Sequence, residues 1–349
     1  MQSRPASPAP SPPGHNLPIA RIESLINPAM VANSIPGLSV AVVTQHTLRW
    51  SNGYGMADLE NFVPAKPITV YRLASVSKPI TAVAVMQLVE QGKLDLDAPI
   101  RRYVPEFPEK PWPITIRQLL SHQGGIRNWT EDEFVGTRHY ATLAESISMF
   151  QDDPLVHEPG THTTYSSLGY TLLGRAIEAA SGQTFGEYMR LNLFEPAGME
   201  WTRPDDVLTI IPNRARGYRL TGGGALLNSP LSDTSNRVPG GGLVGTAEDV
   251  GAFAAALLSG RLISPQSLQL MMTPQRTRSG KATGYGLGLV VGRHAGQREA
   301  YHAGGQSRVS TLFYMRPDRG LAVVLLTNVE GIGGPLLDLA RKVADLASR

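Results

Sequence analysis

The chain has 349 residues, no cysteine, a hydrophobic fraction of 42% and a formal charge of only +3. Disulfides, thiolate catalysis and cysteine-held metals are thereby excluded, and scattered arginines with no Lys/Arg cluster make nucleic acid a poor partner. The apolar content supports a packed core in one large domain or two interleaved lobes, and no apolar run approaches the 18 or so residues of a membrane span.

Residues 1–16 (MQSRPASPAPSPPGHN) are rich in Pro and Ser and lack an apolar stretch. They read as a flexible tail, compatible with a periplasmic or secreted protein whose signal peptide has been replaced. Ile19 to Ala32 then carries Ile19, Ile22, Leu25 and Ile26 at helical spacing. Two strand-like runs follow, Gly37–Thr44 and Leu48–Tyr54, with a turn around Gln45 and His46. Ser75–Gln91 reads as the strongest helix, apolar around most of its circumference as a buried central helix should be, and Gly92 ends it. Thr115–Ser121 predicts a short helix. From about 130 to 280 the pattern is mostly helical, with Leu168–Ala180, Thr184–Leu193 and Ala247–Leu258 the clear segments. Three β-rich runs come last, Gly284–Val291, Arg308–Arg316 and Leu321–Asn328, before a final helix over Pro335–Ala347.

Strands at both ends with helices between them predict an α/β fold of the α+β kind. One antiparallel sheet is built from both chain ends, with helices flanking it and a largely helical insertion. The expected organisation is a single domain over 17–349, with a sheet lobe of about 17–75 and 283–349 and a helical lobe of about 76–282.

Ser75-Val76-Ser77-Lys78 places a hydroxyl and an amine three residues apart on one face of a helix's first turn. An alcohol becomes a good nucleophile when a neighbour takes its proton, and a desolvated lysine can do so. Tyr165-Ser166-Ser167 sets a phenol beside a short polar residue at the entry to a helix. It fits either proton relay and carbonyl binding or a serine N-cap. His302-Ala303-Gly304-Gly305 combines small residues that let backbone pass close to a ligand with an N–H able to hold an oxyanion.

In this order and spacing the three motifs resemble those of the penicillin-recognising serine hydrolases. These comprise the class C β-lactamases, the D-alanyl-D-alanine peptidases and the β-lactamase-like esterases. Leu119–His122 with Gly124-Gly125, and Pro239–Asp249 (PGGGLVGTAED), add to the resemblance. The stretches 53–61 (GYGMADLEN) and 103–110 (YVPEFPEK) are similar to the mitochondrial β-lactamase-like serine peptidases. The resemblance implies Ser75 as nucleophile, Lys78 as its base and Tyr165 on the proton route to the leaving group. The N–H groups of Ser75 and Gly305 would form the oxyanion hole, with Gly304, His302, Ser167 and Asn328 around the substrate. Acyl transfer of this kind needs no metal or cofactor. The implied partner is a small-molecule or peptide substrate, an ester or amide and possibly a β-lactam.

Two positions depart from the family pattern. Ser167 stands where asparagine is usual and offers fewer hydrogen bonds to a substrate amide. His302 stands where lysine is more frequent, and its part-charge near neutral pH predicts weak, pH-dependent attraction of a substrate carboxylate. Both departures favour a peptidase or esterase over an efficient β-lactamase. A receptor that acylates without turnover is the non-enzymatic alternative. No G-x-S-x-G elbow supports a lipase-type triad. His157 and His162 lack helical metal-ligand spacing and read as a polar loop, and His122 is expected to meet the terminal carbonyls of its helix.

Overall fold

In the computed structural model, residues 17–348 are described, so the tail read into residues 1–16 lies outside the described residues. Helix α1 (Ile19–Ala32) and strand β1 (Gly37–Thr44) fall where their periodicities place them. The hairpin to β2 (Thr47–Asp58) turns through Gln45 and His46, both at positive φ. A short β3 (Val63–Pro64) follows, and β4 (Val290–His294), β5 (Gln297–Gln306), β6 (Val309–Arg316) and β7 (Leu321–Thr327) come from the other end of the chain. Together they form one seven-stranded sheet in the order β3-β2-β1-β7-β6-β5-β4. The two chain ends meet at its centre, where Leu38 pairs with Thr327 and Val43 with Ala322, antiparallel.

Alternation along β7 shows why the central strands are apolar throughout. Leu321, Val323 and Leu325 face a cluster completed by Ile22 and Ile26 of α1 and by Leu336 and Leu339 of the C-terminal helix α6 (Gly333–Ala347). Ala322, Val324 and Leu326 face the opposite way, into the larger core shared with α2 (Ser77–Glu90) and α5 (Ala247–Leu258). A strand covered on both faces has no polar side to show. Every residue of α2 from Ser77 to Met86 is buried, so this helix runs through the core. Between α2 and α5 lie α3 (Ile116–Leu120) and α4 (Leu168–Ser181), the former started by a Thr115/Gln118 capping box.

Two readings of the last third of the chain are corrected. The expected strand Gly284–Val291 becomes a loop until Val290, because its glycines serve close packing: Gly288 sits at φ +80° against Ala82 of α2, where a Cβ would overlap. Strand β5, not read as a strand from QREAYHAGGQ, is instead a full member of the sheet. The segment between Met199 and Thr246 is mostly extended and irregular, where helix was expected. One of its short strands, Leu243–Gly245, pairs with Tyr71–Arg72 and so fixes the chain just ahead of Ser75.

Candidate active site

Ser75 lies in a 3-10 turn, Ala74–Val76, that leads directly into α2. The approach is tightly held: Leu73 N–H donates to Leu243 O at 2.8 Å, and Thr311 Oγ1 donates to Leu73 O at 2.7 Å. Ala74 is held at φ +48°, a left-handed conformation that L side chains rarely adopt. Such strain persists only where surrounding contacts impose it.

Lys78 is one helical turn on and fully buried. Its Nζ lies 3.2 Å from Ser75 Oγ, 2.9 Å from Ser167 Oγ and 2.6 Å from Gly240 O. The Tyr165 hydroxyl is 2.7 Å from Ser75 Oγ, and Lys78 Nζ stands 4.7 Å from the centre of its ring. Among the described residues no carboxylate pairs with Lys78. Burial, reinforced by the positive charge of Arg237, therefore holds its amine well below the ordinary lysine range. Burial pushes the Tyr165 phenol upward, so it keeps its proton.

The Tyr165–Ser167 loop is placed by residues remote in sequence. Ser166 Oγ accepts from Gly169 N–H at 3.1 Å, capping α4, and donates to Arg127 O at 2.6 Å. Ser167 N–H donates to Asn128 Oδ1 at 3.0 Å. The cap and the contact to Lys78 thus fall on adjacent serines.

On the other side of Ser75 runs β5. A Cβ on Gly304 would overlap Thr311 Oγ1 and stand 2.7 Å from Leu73 O, so only glycine lets the strand lie on the turn that carries Ser75. Gln306 pairs with Val309 across the two-residue turn Ser307-Arg308, in which Arg308 occupies φ +83°. The pair closing such a hairpin exchanges hydrogen bonds, so the next pair, Gly305 with Ser310, does not. The N–H of Gly305 therefore points away from β6. On that side β4 pairs with β5 only from Gln297 to Tyr301, leaving the edge at Gly305 without a strand partner. Ser75 N–H likewise has no acceptor among the described residues.

Two expected site residues are corrected. His302 is 3% exposed, with Nδ1 2.8 Å from Ala303 O. Burial and nearby Lys78 push its pKa down to about 3, so the imidazole is neutral and the expected part-charge is absent. Asn328 is fully buried and away from this cluster: Oδ1 accepts from Gly37 N–H at 2.8 Å, while Nδ2 donates to Met56 O at 3.0 Å and Ala57 O at 3.3 Å. It fastens β1 and β2 to the end of β7.

His122 also differs from expectation. Its ring lies under Tyr165, with centroids 4.4 Å apart, and its Nδ1 accepts from Ser166 N–H at 3.3 Å. It braces the phenol and does not meet the carbonyls of its own helix. It lies in the Leu119–His122 stretch that carries part of the resemblance, but nothing in that stretch pointed to this contact. Gly240, whose carbonyl binds Lys78, did lie in the PGGG stretch. Among the described residues no cluster of His, Asp and Glu is suited to a metal ion, and no helix is long and apolar enough to cross a membrane.

A serine, a buried lysine and a phenol on an antiparallel sheet with a helical insertion define the β-lactamase/transpeptidase class. The chain belongs to the Beta-lactamase family, which it matches over residues 22–348. It is 30% identical to the serine beta-lactamase-like protein LACTB, mitochondrial, of Homo sapiens, over 88% of this chain and 76% of that protein. It is similar to the octameric penicillin-binding protein homologue of Pyrococcus abyssi, with a TM-score of 0.80 and 27% identity over 95% of this chain and 77% of that one. A penicillin binding protein from Bacillus halodurans gives a TM-score of 0.76 and 25% identity over 92% and 98% of the two chains. By family, then, the chain is one of the serine hydrolases capable of cleaving amides and esters through acyl-enzyme chemistry.

Proposed function

We propose that this protein opens an amide or ester bond of a small-molecule or peptide substrate through an acyl-Ser75 intermediate. We place it as a peptidase or esterase ahead of a dedicated β-lactamase. The observation that carries the reading is the convergence of Lys78 Nζ at 3.2 Å and the Tyr165 hydroxyl at 2.7 Å on Ser75 Oγ.

A neutral amine has two N–H donors and one lone pair. The Gly240 carbonyl can only accept, so it takes one N–H; Ser167 Oγ takes the other. The lone pair is left for the Ser75 O–H, and the protonated Tyr165 donates to the same oxygen. As Ser75 attacks a carbonyl carbon, its proton passes to Lys78. The oxyanion that forms is held by the N–H groups of Ser75 and Gly305. Lys78 then returns the proton, by way of Tyr165, to the departing amine or alcohol. Water cleaves the acyl ester by the same steps in reverse. A neutral His302 and a Ser167 already engaged by Lys78 leave this part of the cleft without the lysine and asparagine common in the family, which weighs against efficient β-lactam hydrolysis.

The test is intact-mass analysis after a fluorophosphonate and, separately, a penicillin, with peptide mapping, alongside turnover of p-nitrophenyl acetate. Label on Ser75 with steady turnover is expected. Label on another residue overturns the assignment, and one burst equal to the enzyme with nothing after it would make the protein a receptor.

A further inference from the structure

The asparagine usual in the Tyr165–Ser167 motif is missing, and the hydroxyl in its place, Ser167 Oγ, is committed to Lys78 at 2.9 Å. An amide stands beside it all the same, brought in by a loop 39 residues earlier in the chain. Asn128 Oδ1 accepts from the backbone N–H of Ser167 at 3.0 Å. A backbone N–H can only donate, so this contact fixes which way the amide lies: its oxygen faces Ser167, and its NH2 end faces away. Asn128 is half-buried, and Nδ2 has no acceptor among the described residues and is not sealed from solvent. Two N–H donors are therefore left over, one side chain away from the serine that holds Lys78.

The backbone that carries this amide is pinned. The carbonyl before it, Arg127 O, accepts from Ser166 Oγ at 2.6 Å, and the Asn128 carbonyl accepts from Arg127 Nη1 at 2.9 Å. Arg127 is itself fixed by Glu133 at 2.7 Å and by Asp153 at 2.6 Å. A donor already held in place loses little freedom when a ligand meets it.

The acceptor such a donor suits is a neutral carbonyl. Arg127 is taken up by its two carboxylates, and no free cation joins Asn128 to attract an anion. Only the acyl part of a substrate stays on Ser75 after the first half of the reaction. A hold on that part serves acylation and deacylation alike.

We propose that Asn128 is a substrate-binding residue: its Nδ2 donates to an amide carbonyl in the acyl part of the substrate, in place of the asparagine absent at position 167. It thereby favours acyl groups that carry an amide, as peptides and N-acylated amino acids do, over simple acyl groups. This rests on the function proposed above and names a substrate class for it.

The experiment compares kcat/KM for the p-nitrophenyl esters of N-acetylglycine and of acetic acid. The ratio in each variant, set against that of the unmodified protein, cancels the different reactivities of the two esters. Asn128→Ala removes the whole amide. Asn128→Asp keeps an oxygen for Ser167 N–H but replaces the donor with a carboxylate that opposes a carbonyl oxygen. The ratio should fall about tenfold in Asn128→Ala, as for the loss of one hydrogen bond, and further in Asn128→Asp. A residue that only fastened Ser167 would slow both esters alike in Asn128→Ala and be spared by Asn128→Asp. An unchanged ratio in Asn128→Asp, the isosteric variant and the one that decides if Asn128→Ala fails to fold, overturns the proposal. Should the unmodified protein turn over neither ester, or Ser75 stay unlabelled, the proposed function falls instead. Asn128 is then read directly from its 15N side-chain amide signals, assigned by their loss in Asn128→Asp. N-acetylglycine methylamide should shift them, and signals that stay in place overturn the proposal.

Discussion

Arg72 and Lys78 are both buried basic side chains, a few residues apart on either side of Ser75, and they meet opposite surroundings. Arg72 has a carboxylate: Nε binds Asp205 at 2.7 Å, and its remaining donors reach Ser232 Oγ at 2.8 Å and Ser232 O at 2.7 Å. Lys78 is buried as deeply but meets hydroxyls and a carbonyl. A buried ion with a partner remains an ion and serves as structure. A buried amine without one sheds its proton and becomes a base. Counterion placement, more than burial, separates scaffold from chemistry along these few residues.

The contrast can be broken from either side. The largest effect is expected for Lys78→Met, which removes the proposed base. Turnover of p-nitrophenyl acetate should fall by about 10²–10⁴-fold, while folding stability at neutral pH should hold or rise, since the cost of burying the lysine without its proton disappears. A variant that lost stability and kept its rate would make Lys78 structural. Next comes Asp205→Asn. It leaves Arg72 and Arg214 facing each other uncompensated, so urea unfolding should show a loss of about 3–5 kcal/mol. A loss under about 1 kcal/mol would mean that Arg72 does not depend on its carboxylate.

The third test concerns pH. His302 has a folded pKa near 3, below the value of about 6.5 for a free imidazole. As pH falls, the unfolded chain takes the proton first, so stability is lost from about 6.5 downward toward about 3. Urea midpoints of His302→Gln should decline less steeply over that window than those of the wild type. Parallel declines would mean that the folded imidazole charges normally.

Much of the fold was legible because its signals are local. Helix Ile19–Ala32, strand Gly37–Thr44 and helix Ala247–Leu258 carry apolar periodicity and end at residues that stop it. Strand β5 was hidden because small and polar residues, Gly304 and Gly305 beside Ser75 among them, interrupt its hydrophobic alternation. The opposite error at Gly284–Leu289 arose because glycines alternating with Leu imitate strand periodicity. Of the site, Ser75, Lys78 and Tyr165 could be picked from spacing, and the structure brings their reactive atoms together. The roles of Asn128, His122 and the Gly240 carbonyl depend on loops meeting across long stretches of chain. Asn328 misled for a related reason: a strand-end amide looks alike whether it faces a ligand or, as here, backbone groups of two neighbouring strands.

The most direct measurement is the titration of the Lys78 13Cε resonance in otherwise unmodified protein. It should titrate well below the ordinary lysine range, and the acid limb of kcat/KM should coincide with it. If Lys78 stayed protonated through neutral pH, the amine could not take the Ser75 proton, and the chemistry derived from this corner would be wrong.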